Sequence, residues 1–189
     1  MSLTALLSLL GVLCWAAYEL LLRRREDAAA GSWHADRRDR GSTRLLLGCY
    51  LLSTLVVVVS DRASIGRLPG WAGWFGVALA AAGLALRAWG MRTLGAYYTR
   101  TLRTVDAQHV VSTGPYRLIR HPGYAGSLLV WTGYAAGTGS WAAALVVAAL
   151  LLTAYGWRIA AEERLLLDSL GGGYATYRRT SKRLVPFVY

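Results

Sequence analysis

The chain has 189 residues, 55% of them hydrophobic, and a mean hydropathy of +0.36, which excludes an ordinary soluble domain of this length. Its formal net charge of +11 would suggest nucleic acid in a soluble protein. Here the basic residues cluster between uncharged stretches, so membrane topology accounts for the surplus and no nucleic-acid partner is predicted.

Residues 1–18 are uncharged and form the first predicted span. No basic residue precedes it and Arg23, Arg24 and Arg25 follow, so it reads as a retained span and not a signal peptide. Glu19 lies about one turn before that basic cluster and is expected to contact Arg23. Residues 25–40 mix arginine and aspartate between Gly31 and Gly41, which suggests a short surface helix or loop without catalytic spacing. Residues 45–60 form a second span, and Pro69-Gly70 marks the following turn.

The third span covers residues 68–86, with Trp71, Trp74 and Trp89 as interfacial anchors. Gly76, Ala80 and Gly83 would permit close helix contact, and Arg87 is expected to snorkel at the polar end. Cys14 and Cys49 lie inside spans with no metal-ligand spacing; they read as buried small apolar residues, and no metal site is predicted.

From Gly90 to His121 the chain is polar, aromatic and β-branched, consistent with a short interfacial helix and then extended backbone. Gly114-Pro115 signals a turn, and His121 is pushed away from helical angles by Pro122. Pro122 suits the first position of a helix. The backbone N–H groups of Gly123 and Tyr124, with the positive end of the helix dipole, then face the polar side.

Pro122 to Trp157 is a run of 36 residues without a charge. As one helix it would be about 54 Å long, against about 30 Å of bilayer core. Gly137-Thr138-Gly139-Ser140 supplies the turn that divides it into two spans, five in all. Both polar flanks therefore return to one face, bringing Arg117, Arg120 and His121 to Arg158, Glu162 and Glu163. Arg158 and Glu162, four apart on a helix, share a face. Taken alone, that pair is a structural ion pair, and Arg117 and Arg120 are topogenic charges.

The exit helix is predicted to run through Leu170 and to end at Gly171-Gly172-Gly173, with Tyr174 and Tyr177 on one face of an interfacial tail. No G-x-G-x-x-G occurs, which removes a Rossmann cofactor site. Arginines are dense after the first, third and fifth spans and sparse after the second, where only Arg62 and Arg67 occur. The N-terminus is thus expected outside and the C-terminus in the cytoplasm. The predicted architecture is an all-α membrane protein of five transmembrane helices. A three-span region (1–89) precedes a catalytic region (90–189) of loop, helical hairpin, exit helix and interfacial tail.

The segments HVVSTGPYRLIRHPGYAG, RIAAEERLL and GGGYATYRR, then VPF, occur in that order between Leu94 and Phe187. This order resembles the isoprenylcysteine carboxyl methyltransferase family and its relatives among the phospholipid methyltransferases. The resemblance implies a membrane enzyme that uses S-adenosylmethionine without a Rossmann domain. It implies cofactor contacts from Gln108, His109, Val110, Val111, Tyr116, His121, Pro122, Gly123 and Tyr124. Arg158 and Glu162 would face a lipophilic or lipidated acceptor drawn from the bilayer.

For a carboxylate acceptor, Arg158 could clamp it bidentately while Glu162 orients the site. For an amine or phenol, Glu162 becomes the candidate general base. Competing readings are a phospholipid N-methyltransferase, a membrane sterol-type reductase using NADPH with a similar R-H-P-x-Y pattern, and a non-catalytic membrane scaffold.

Overall fold

The computed structural model describes residues 2–30, 41–95 and 110–186, with backbone alone for 22–30 and 42. Gln108 and His109 lie outside the described residues. The chain forms α1 (Leu3–Ala30), α2 (Ser42–Arg62), α3 (Ala72–Leu94), a 3-10 turn (Gly114–Arg117), α4 (Pro122–Gly137) and α5 (Trp141–Thr180). Among the described residues there are no strands, only two isolated bridges, Arg67 with Ser140 and Ile119 with Lys182.

Four helices, α1, α2, α3 and α5, are long and apolar enough to cross a membrane. The fifth expected span is α4, which has only 16 residues, about 24 Å at helical rise. It sits at the centre, packed against α1, α3 and α5, and from Val130 to Gly137 only Thr132 is not fully buried. A helix enclosed by protein need not match the lipid thickness. The outer helices carry the exposed apolar residues, among them Leu10, Leu51, Phe75 and Leu145, as expected of surfaces that meet acyl chains.

Small residues bring α3 and α4 into backbone contact, the closest packing in the bundle. A Cβ on Gly83 would meet Gly126 O at 2.5 Å, and one on Gly133 would meet Ala80 N and Gly76 O at 2.6 Å. Such approach is how helices associate where lipid removes the hydrophobic drive. At the opposite end from His121, the turn between α4 and α5 docks on the α2–α3 loop. Leu68 N donates to Gly139 O at 2.8 Å, Trp141 N donates to Gly66 O at 3.0 Å, and Ser140 caps α5 by accepting from Ala143 N at 3.1 Å.

Four local expectations are corrected. α3 continues beyond Trp89 to Leu94, with Gly90 against Pro122. Gly171 does break α5 (φ 55°), but the helix resumes to Thr180, because Tyr174 and Tyr177 bury against Tyr116, Val110 and Val111. Cys14 is exposed on the outer face of α1 and Cys49 is half-buried. Arg87 does not snorkel; it is 6% exposed and paired with Glu19, which turns inward across the α1–α3 contact.

Candidate active site

The site forms where the first turn of α4 meets the polar end of α5. Pro122 starts α4 as its sequence position dictates, with His121 in a non-helical conformation just before it (φ −125°, ψ 58°). The chain preceding it is held by the tail: Lys182 N donates to Leu118 O at 3.0 Å, Arg120 N to Lys182 O at 2.7 Å and His121 N to Arg183 O at 3.1 Å. The tail therefore closes over the loop and fixes the direction in which His121 points.

On α5, Leu151, Tyr155, Ile159 and Glu163 recur every four residues, and all are buried to 2% exposure or less. This stripe faces α4 and the loop. Arg158 and Glu162 form the adjacent face, as their spacing requires. Tyr124 joins them: Arg158 Nε donates to Tyr124 Oη at 3.2 Å, and Tyr124 Oη donates to Glu162 Oε2 at 2.7 Å. Arg158 also reaches α2, donating to Thr43 Oγ1 at 3.1 Å. Tyr124 stacks between His121 (5.8 Å) and Tyr155 (5.2 Å), and Tyr155 Oη bonds Tyr50 Oη at 2.9 Å.

Glu163, which the sequence brings to this mouth without assigning it a role, is the hub of the loop and tail. Its buried carboxylate accepts from Arg120 Nε at 2.8 Å and Arg183 Nη2 at 3.3 Å, and it lies 3.6 Å from Arg178 Nη2 and 3.5 Å from His121 Nε2. Burial would raise its pKa, but the contacts with His121 and Arg120 outweigh that and hold it down at about 2. Arg120 is therefore no mere topogenic charge; it also donates to the carbonyls of Arg178 (3.2 Å) and Ser181. The signal available in the sequence was the position of Glu163 on the apolar stripe of α5. An acid on a buried stripe must find cations.

Glu162 differs sharply, with its side chain 30% exposed and its Oε1 3.9 Å from His121 Nδ1. Of the other predicted residues, Tyr116, Val110 and Val111 pack in a neighbouring aromatic cluster with Tyr174 and Tyr177, and Tyr177 Oη donates to Tyr116 O at 2.7 Å. Pro122 is fully buried, and Gly123 O is taken by Arg87 Nη1 at 2.9 Å. Tyr174 Oη is a buried hydroxyl without a hydrogen-bond partner among the described residues.

A family model described as phospholipid methyltransferase matches residues 71–171, more than half of the chain. The chain belongs to the phospholipid methyltransferase family. It is similar to protein-S-isoprenylcysteine O-methyltransferase B of Arabidopsis thaliana, 29% identical over 154 residues that cover 78% of each chain. The A form of the same plant is 28% identical over the same length. A probable protein-S-isoprenylcysteine O-methyltransferase of Oryza sativa subsp. indica is 23% identical over 181 residues, covering 92% of this chain and 95% of the relative.

Among solved structures, the eukaryotic intramembrane Ras methyltransferase (isoprenylcysteine carboxyl methyltransferase) shares the fold with a TM-score of 0.64 at 19% identity. The match covers 76% of this chain and 52% of that one, so the chain spans about half the length of that protein. This member of the family is thus a multi-pass integral membrane methyltransferase. The family match decides against the reductase and scaffold readings. Its segment 71–171 contains α3, α4, His121, Tyr124, Arg158, Glu162 and Glu163.

Proposed function

We propose that this methyltransferase uses S-adenosylmethionine to esterify the carboxylate of a lipophilic or lipidated acceptor of the isoprenylcysteine type, at the mouth between α4 and α5. The observation that carries this reading is the chain Arg158–Tyr124–Glu162, a buried guanidinium joined through a phenol to a half-open carboxylate where α5 emerges from its apolar stretch. The named relatives act on isoprenylcysteine and support the carboxylate over other acceptors.

The residues present fit the methyl donor. Glu162 offers a partly exposed carboxylate suited to an ammonium group, and Tyr174 Oη is a buried donor without a partner among the described residues. Val110, Val111 and Tyr116 add apolar and aromatic surface. The donor supplies a sulfonium methyl that is already electrophilic, so the protein need only align the acceptor and exclude water. A carboxylate acceptor has no proton to lose. Arg158, held at Nε by Tyr124 and at Nη1 by Thr43, orients that carboxylate, and Glu162 fixes the phenol and with it the guanidinium. Residues 90–189 carry the chemistry in this reading, and residues 1–89 support it.

The acceptor class is tested with labelled S-adenosylmethionine and purified protein in nanodiscs, offered either an S-farnesylcysteine derivative or phosphatidylethanolamine. Label released by mild alkali from the farnesylcysteine product is the expected result. Alkali-stable label on phosphatidylethanolamine would instead make the acceptor an amine and Glu162 its general base. In this reading the site lies on the cytoplasmic side with the N-terminus outside, an orientation that the arginine distribution favours. Ser64→Cys and Ser112→Cys, each in a background without Cys14 and Cys49, should label from opposite sides of the membrane; labelling from one side would overturn this orientation.

A further inference from the structure

Away from Arg158 and Glu162, a second set of buried polar groups converges on the first turn of α4. Arg87 on α3 forms an ion pair with Glu19 on α1, with side-chain exposures of 7% and 16%. The same guanidinium donates through Nη1 to Gly123 O at 2.9 Å and to Ser127 Oγ at 2.7 Å. Trp15 on α1 donates to Ser127 Oγ at 2.9 Å, and Ser127 Oγ donates to Gly123 O at 3.1 Å. The hydroxyl of Ser127 thereby uses its one donor and both acceptor sites. Arg87 also lies 6.0 Å from the Trp15 ring.

Stability alone gives no reason for such a pair. Charges within a membrane-spanning bundle are costly, and replacing a buried pair by apolar residues of similar volume is often neutral or stabilising. What the pair provides is direction, because a planar guanidinium held by a carboxylate on one side presents its donors at a fixed angle on the other. Those donors end on Gly123, the residue between Pro122 and Tyr124.

We propose that Glu19 and Arg87 are positioning residues for methyl transfer: Glu19 on α1 orients Arg87 on α3. Arg87, with Trp15, then locks the first turn of α4 through Gly123 and Ser127 and so sets His121 and Tyr124 against Arg158 and Glu162. This rests on the assignment of the α4–α5 mouth as the active site. It gives the first helix, which lies outside the family-matched segment, a direct part in the geometry of catalysis. A displacement of about 1 Å at a reacting centre can cost about a hundredfold in rate.

The test compares Glu19→Leu/Arg87→Leu, Arg87→Lys and Tyr124→Phe, reading kcat with saturating substrates together with the thermal midpoint in detergent. The double leucine variant is expected to melt at or above the parent temperature while kcat falls at least about tenfold. Arg87→Lys keeps a cation but lacks the fork that holds Glu19 through Nη2 while Nη1 reaches Gly123 and Ser127, and its kcat should fall with little change in melting. Parent kcat in a folded double variant overturns the inference. If the double variant does not fold, Arg87→Lys decides: parent kcat overturns the inference and a lowered kcat supports it. Tyr124→Phe separates the two levels. If it is impaired while the Arg87 variants are not, the positioning role fails and the site stands; if it turns over at the parent rate, the assignment of the mouth fails.

Discussion

Along one side of α4, Gly126 and Gly133 lie against the backbone of α3 with no side chain between them. At its first turn the same helix meets α5 through His121, Tyr124, Arg158, Glu162 and Glu163, a set of charged and aromatic side chains. The seam is built by removing side chains and the mouth by concentrating them. A short central helix can be held rigidly along its length by close backbone contact, which leaves its end to be specified by directional bonds. Around Gly133 the seam can serve as scaffold because the backbones that meet there carry no group that titrates, whereas Arg87 beside Gly126 and the groups at the mouth are sensitive to charge and geometry.

The largest stability effect should come from the mouth. Glu163→Ala removes the anion shared by Arg120, Arg178 and Arg183 and leaves their charges uncompensated. A loss of about 3–5 kcal/mol is expected from equilibrium unfolding in detergent; a loss below 1 kcal/mol would mean the hub is solvated and replaceable. At the seam, Gly133→Val forces the backbones of α3 and α4 apart. It should cost about 1–3 kcal/mol and lower activity only in proportion to folded protein. A normally stable Gly133→Val variant would show that the two helices do not need backbone contact.

Glu162→Gln should leave stability near the parent, because its side chain is partly exposed. With a carboxylate acceptor it should retain a measurable rate without a new pH dependence. A drop of about a hundredfold with loss of the acid limb would mark it as a general base and change the acceptor class.

The smallest effect is an acid one. The pKa of Glu163 is lowered from 4.5 to about 2 by folding, so its contribution is complete above 4.5 and fades as pH falls towards 2. Near-UV circular dichroism from the cluster of Tyr116, Tyr174 and Tyr177, of which Tyr174 feels the Glu163 charge, should report the tail loosening in that window. The Gly133 seam should not respond there.

The small-residue seam, the hairpin turn and the start of α4 at Pro122 were legible in the sequence because each depends on local chemistry: glycine without a Cβ, positive φ at Gly139 (85°) and a ring that cannot donate. The Arg158/Glu162 face was legible from spacing alone. The hub at Glu163 was only half legible: the hairpin brings Arg120 and His121 to it, but pairing by four residues favours Glu162, and its further cations, Arg178 and Arg183, come from the tail. Arg87 and Glu19 were misplaced for a related reason. A charge near the end of a span can turn outward to headgroups or inward to a partner, and the choice depends on how α1 and α3 are rotated against each other. Gly171 allowed the chain to break as expected, yet only the tertiary burial of Tyr174 and Tyr177 explains why the helix starts again.

Arg158→Lys probes the central claim most directly, when methyl transfer to a farnesylcysteine acceptor and S-adenosylmethionine affinity are measured on the same nanodisc preparation. Lysine keeps the positive charge but cannot hold Tyr124, Thr43 and a carboxylate from one planar fork. Transfer should fall by about a hundredfold while cofactor affinity stays near the parent value. Transfer at the parent rate, or a loss that follows weakened cofactor binding alone, would contradict the assignment of Arg158 to the acceptor carboxylate.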